Sequence, residues 1–146
     1  MNILLKVKKL NNSAILPTKA YNTDAGYDFY SLQEDIIYPF HVKQVKTGIA
    51  MEIPTGYYMQ LESRSSIVIN YDVHVGAGII DSAYRGEIII CMYNPSDHIF
   101  HFQIGTKIAQ GILHKVEDTE LVEVDNLGIS ERNTNGFGSS GITLQV

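Results

Sequence analysis

A single cysteine, Cys91, stands among 146 residues, which excludes an intrachain disulfide framework and any multi-cysteine zinc site. No run of about 18 apolar residues occurs, so no helical membrane span is expected. The stretch from Met1 to Lys9 alternates Leu and Val with Lys and never reaches the apolar core of a signal peptide. Charge is scarce, at 18% of residues, against about 25% in ordinary soluble domains. Basic residues are scarcer still: 11 Lys+Arg against 16 Asp+Glu leave a net charge of −5. Without a basic field or a basic tract, no nucleic-acid polymer and no anionic membrane is an expected partner. From these absences a soluble, intracellular protein is expected, cytoplasmic or nuclear. The shortage of charge further suggests that other subunits cover part of its surface.

What remains is 45% hydrophobic, enough for one core, and the length suits one domain. Ile3, Leu5 and Val7 alternate with polar neighbours. Apolar runs follow at Val42–Met51, Tyr57–Leu61, Val73–Val75, Ile88–Tyr93, Ile99–Phe102, Ile108–His114 and Leu121–Val124. Pro54-Thr55-Gly56, Gly76-Ala77-Gly78 and Asn94-Pro95-Ser96-Asp97 stand between them. Strand-length runs with such punctuation predict an all-β sandwich, jelly roll or barrel. The best helix is short, Ser65 to Asn70, with Ser65 or Ser66 as its cap. Cys91, inside an apolar run, is expected to be a buried inert thiol. The five histidines are scattered, and only His98 and His101 are close, in what reads as an exposed strand without zinc spacing.

Two segments carry chemistry. Gly78-Ile79-Ile80-Asp81-Ser82-Ala83-Tyr84-Arg85-Gly86-Glu87 places one acid, one ring and an Arg/Glu pair in a glycine-bounded turn. Asp81 follows two isoleucines, so it emerges from a strand end, where a fixed carboxylate can act as a general base towards water. Arg85 and Glu87, two apart on a strand, are expected to form a structural ion pair. The second segment, residues 131–146, cannot bury a face of its own and reads as a mobile arm on a single β domain of residues 1–130. Its Gly-Phe-Gly-Ser-Ser-Gly run offers open backbone N–H groups, two hydroxyls and one stacking ring, and Arg132 adds a bidentate phosphate clamp.

Five segments, in order, resemble the five signature motifs of the trimeric dUTPases (deoxyuridine triphosphate nucleotidohydrolases). They are Ala25-Gly26-Tyr27-Asp28-Phe29-Tyr30-Ser31, Arg64-Ser65-Ser66, Gly76 through Glu87, Gly105-Thr106-Lys107-Ile108-Ala109-Gln110, and Arg132 through Gly141. The resemblance implies an all-β distorted jelly roll of the β-clip type. It implies a homotrimer with C-terminal arm exchange and sites shared between subunits. The implied activity is hydrolysis of dUTP to dUMP and pyrophosphate with Mg2+, which keeps uracil out of DNA and supplies dUMP for thymidylate synthesis. By motif match, Asp81 activates the attacking water and Tyr84 packs on the deoxyribose. The hairpin carrying Gly78 and Ile80 reads uracil, and Asp28 holds a magnesium-bound water. Ser65, Ser66 and Gln110 serve the phosphate chain, and Arg64, on the substrate-binding side, organises the site and the subunit contact. Arg132 clamps the γ-phosphate while Phe137 stacks over uracil, with Gly138, Ser139 and Ser140 as further phosphate donors.

The chain departs from the family pattern at Asn133 and Asn135, where Gly is usual, at Lys107, where Arg is common, and at Ile67-Val68-Ile69. Asn is the non-glycine residue that best tolerates positive φ, so the loop can still form. A dCTP deaminase of the same fold is disfavoured, because Ile69 and Cys91 stand where that chemistry needs an Arg and a proton-shuttling Glu. A regulatory nucleotide-binding or partner-binding module is the other reading. The presence of Asp81, Tyr84, Arg132 and Phe137 argues against it.

Overall fold

A computed structural model describes residues 3–137. Ten strands and one short helix run in the order β1 (Lys6–Lys9), β2 (Gly26–Tyr30), β3 (Asp35–Ile37), β4 (Val42–Glu52), β5 (Tyr57–Glu62), α1 (Ser65–Tyr71), β6 (His74–Gly76), β7 (Ile79–Asp81), β8 (Glu87–Tyr93), β9 (Phe100–Phe102) and β10 (Lys107–Lys115). The all-β expectation holds. The strands make two four-stranded sheets, β1-β4-β8-β6 and β2-β10-β5-β7, and a two-stranded ribbon, β3-β9. All of the pairings are antiparallel.

Alternation is why these segments are strands. In β8 the side chains of Ile88, Ile90 and Met92 are buried while their neighbours face outward. Met59 and Leu61 do the same in β5. Phe29, Met59, Ile108 and Ala109 from one four-stranded sheet meet Ile49, Ile88, Ile90 and Met92 from the other in a single core. Each fully buried side chain of this size contributes about 1.5–3 kcal/mol of transfer free energy. Asn94, just after β8, is fully buried and ties its own loop to the end of β3. Its Nδ2 donates to Ile37 O (3.0 Å) and His98 O (2.7 Å), and its Oδ1 accepts from Ser96 N (3.1 Å) and Ser96 Oγ (2.7 Å).

Several local expectations are corrected. The helix is capped by neither Ser65 nor Ser66: it begins at Ser65, so Arg64 occupies the N-cap and no side chain makes the cap bond. It ends at Asp72, which takes the left-handed conformation (φ 54°) and donates its N–H to Val68 O. Leu121–Val124 forms no strand; Leu121 is wholly exposed and Val122 and Val124 largely so. An apolar run becomes a strand only where a sheet edge receives it, and nothing in the chain's own sheets pairs with this one. Cys91 is half-buried rather than buried, because it occupies the outward phase of β8 between the buried Ile90 and Met92.

Candidate active site

Two clusters of motif residues form, on different parts of one sheet. The first joins β2, β10 and the start of α1. Asp28, central in β2, lies opposite Gln110 of β10, which in turn lies opposite Glu62 of β5. Arg64, two residues beyond the end of β5, donates from Nε to Asp28 Oδ1 at 2.9 Å and from Nη1 to Lys107 O at 3.5 Å. Lys107 Nζ takes the other carboxylate oxygen, Oδ2, at 2.7 Å. The Asp28 side chain is only 13% exposed. Hydrogen bonding to that carboxylate, reinforced by its charge, raises the Lys107 ammonium pKa. Gln110 Nε2 donates to Ser63 O (3.0 Å), and Ser63 Oγ accepts from Val75 N (2.8 Å). Ser65 and Ser66 sit exposed beside this network.

The second cluster is the turn between β7 and β8. Asp81 is the last residue of β7, at a strand end as expected, and its carbonyl accepts from Tyr84 N at 3.1 Å. Ile79, Ile80, Asp81, Tyr84, Glu87 and Ile89 line a cavity of about 170 Å³. Its lining combines three isoleucines with one ring and two acidic residues. The hairpin that delivers Ile80 packs tightly on β5, where Leu61 N donates to Gly78 O at 2.7 Å. A Cβ at residue 78 would overlap the Leu61 carbonyl, so close backbone approach requires glycine there.

The expected Arg85–Glu87 ion pair is absent. Arg85 Nη1 instead closes its own turn by donating to Ser82 O (2.5 Å) and Tyr84 O (2.9 Å). Glu87 Oε1 accepts from Gly48 N (2.8 Å), at a break in the β4–β8 register where Gly48 has φ +68°. The bulge leaves an N–H without a ladder partner, and the carboxylate fills that need.

Arg132 and Phe137 lie on the surface, in neither cluster. Arg132 Nε donates to Asn135 O, and Asn133 adopts φ 47°, the conformation for which Asn is the best substitute for Gly. Gly138, Ser139 and Ser140 lie outside the described residues. Ser63 and the side chain of Lys107 were not legible as site components, since a serine before Arg64 and a lysine in place of an arginine carry no spacing signal. Among the described residues no three His, Cys, Asp or Glu gather into a metal cage.

The dUTPase family model matches residues 12–141. The chain belongs to the dUTPase family. It is 39% identical to the deoxyuridine 5'-triphosphate nucleotidohydrolase of Swinepox virus (strain Kasza), over 97% of this chain and all of that protein. It is 43% identical to the enzyme of the same name from Clostridioides difficile, over 94% of this chain and 97% of the relative. Among solved structures, the dUTPase of Staphylococcus bacteriophage 80alpha with dUpNHpp superposes with a TM-score of 0.90 at 30% identity, covering 97% of this chain and all of the phage chain. A mutant dUTPase from phage phi11 of S. aureus, described with a coordinated structural Mg(II) ion, gives 0.81 at 25% identity, over 86% of this chain and 99% of its own.

Proposed function

We propose that this dUTPase hydrolyses dUTP to dUMP and pyrophosphate in a homotrimer, each site combining the Asp81 turn of one subunit with the Asp28–Arg64–Lys107 network of another. The separation of those two clusters within one chain carries the reading. Asp28 stands level with Glu62 on β5 and Asp81 level with Tyr58, four residues along that strand and three strand spacings from β2 to β7. At about 3.3 Å per residue and 4.8 Å per spacing, the two Cα atoms lie roughly 19 Å apart. A base must lie within hydrogen-bond reach of the water it activates. That separation favours a site in which the cations that seat the triphosphate and the Asp81 that holds the water come from different subunits.

In the assembled site Asp81 takes a proton from water as the water oxygen bonds to the α-phosphorus. The bond from the α-phosphorus to its bridging oxygen breaks in line, and pyrophosphate leaves. Tyr84 packs on the deoxyribose and leaves no room for a 2′-hydroxyl, and the Gly78–Ile80 hairpin receives uracil. Arg64, Ser65, Ser66 and Gln110 meet the phosphates. Arg132, Phe137 and the Gly138-Ser139-Ser140 run close the site from the arm. The donor set fits magnesium held through water. Both Asp28 oxygens already meet a cation, but a carboxylate has about four acceptor positions, so two remain for metal-bound waters, and magnesium retains several of its waters. Bound there, the ion would supply charge neutralisation to the phosphates.

The test is a pyrophosphate-release assay with dUTP, dCTP, dTTP and UTP in magnesium buffer. The expected result is a strong preference for dUTP, and an Asp81→Asn variant that still binds dUTP but turns over about 10²–10⁴-fold more slowly. Equal turnover of UTP or dCTP removes the specificity reading. A near-normal Asp81→Asn rate removes Asp81 as the base.

A further inference from the structure

Tyr84 reaches its place by curling back over its own turn. Its hydroxyl donates to Glu87 O at 2.9 Å, its N–H to Asp81 O at 3.1 Å, and its carbonyl accepts from Arg85 Nη1 at 2.9 Å. This path crosses Gly86. A Cβ built on residue 86 would fall on the Tyr84 hydroxyl and on the ring carbon that bears it, and 3.0 Å from Cε2. Gly86 is not among the residues with positive φ, so its backbone does not call for glycine. The requirement is room for the ring.

We infer that Gly86 is a specificity-determining positioning residue: it is the seat on which Tyr84 rests, and it thereby sets how strongly the enzyme rejects ribonucleotides. The inference rests on the proposed contact between Tyr84 and the deoxyribose. The ring is 44% exposed and lines the cavity with Ile80 and Asp81. The position of its free face therefore fixes the width left for the sugar. The seat is held from behind as well, because the residue whose carbonyl receives the Tyr84 hydroxyl also fills the β4 bulge through its carboxylate at Gly48 N (2.8 Å). With no give on that side, a methyl group at residue 86 must lift the ring off the Glu87 carbonyl.

The test compares kcat/KM for dUTP and UTP in the full-length wild type, Gly86→Ala, Tyr84→Ala and the double variant. Gly86→Ala, which lifts the ring from its seat, is expected to lower kcat/KM for dUTP and to shift the dUTP/UTP preference at least tenfold, within the roughly 10–200-fold range that pocket contacts of this size supply. Tyr84→Ala, which removes the ring, is expected to reduce the preference. Adding Gly86→Ala to Tyr84→Ala is expected to change nothing more, since the methyl group then meets no ring. A wild-type preference in Gly86→Ala, beside a reduced one in Tyr84→Ala, overturns the seat and leaves the sugar contact standing. A wild-type preference in Tyr84→Ala removes the sugar contact itself. Should Gly86→Ala fail to fold, the double variant must recover folding, because the overlap is with the ring; failure of both overturns the inference.

Discussion

A mixing experiment decides whether the site is shared. One variant carries Asp81→Asn and lacks the base; a second carries Asp28→Asn with Arg64→Gln and lacks the phosphate-side network. Asp81→Asn and Asp28→Asn keep side-chain size and Arg64→Gln shortens it; the second variant removes a carboxylate together with its 2.9 Å guanidinium partner and takes from Lys107 its counter-charge. Each variant alone should be inactive. Coexpressed at equal levels in a cyclic trimer, a site works when its Asp81 comes from the second variant and its Arg64 from the first. Random assembly gives about one half times one half, so about a quarter of wild-type activity per site. The roughly 19 Å between the clusters is what makes this number different from zero. Two-tag purification isolates the mixed trimers, each of which holds one working site in three, so about a third of wild-type activity is expected there, with pyrophosphate release read against the two pure variants. A mixture no more active than its components would refute the shared site, because sites built within one chain cannot complement one another.

Two further outcomes concern the fold that holds these groups. Asn94→Ala leaves the buried Ile37 carbonyl without its 3.0 Å donor and releases three other bonds. The expected cost is about 2–4 kcal/mol, or roughly 6–12 °C of Tm for a chain of this length, measured by calorimetry at fixed protein concentration; an unchanged Tm contradicts it. The Lys43 ammonium, 2.7 Å away, and the Ile36 N–H hold the Asp35 pKa below its ordinary value. That stabilisation is therefore present above the unfolded-state value and is lost as pH falls through the folded one, below about pH 4. Urea midpoints of the wild type and Asp35→Asn should converge over that range; a constant gap would show that the pair contributes nothing through titration.

The strands were legible because alternation is local: Ile88, Ile90 and Met92 announce a buried face whatever they pack against. The motif residues were legible because the family keeps them in order. What escaped depends on partners distant in sequence. Glu87 reads as a mate for Arg85 until the β4 bulge, 39 residues away, presents the Gly48 N–H. Lys107 reads as a weakened arginine until Asp28, across a strand pairing, is found between it and Arg64. Leu121–Val124 has strand chemistry, yet no edge of its own chain receives it. Register and edges are properties of the folded pairings, and no window of sequence contains them.

The net charge looks unfavourable for a tetra-anionic substrate until it is located. Residues 116–125 contain Glu117, Asp118, Glu120, Glu123 and Asp125 and no Lys or Arg, which is a charge of −5 and equals that of the whole chain, −5. The rest therefore sums to −5 − (−5) = 0. Those five acids lie on an exposed stretch outside every strand, where physiological salt screens them beyond about 8 Å. At the site the count differs again: Arg64 and Lys107 share one carboxylate, so two cations face one anion and one positive charge is left over. Asp28 thus serves the phosphates by holding two cations in register without cancelling both. The acidity that argues against a nucleic-acid polymer resides in a segment apart from the Arg64–Lys107 network, with Glu117 and Asp118 lining a cavity beside Asp81 and Ser82, so the cations that meet a single nucleotide stand on the other side of the site.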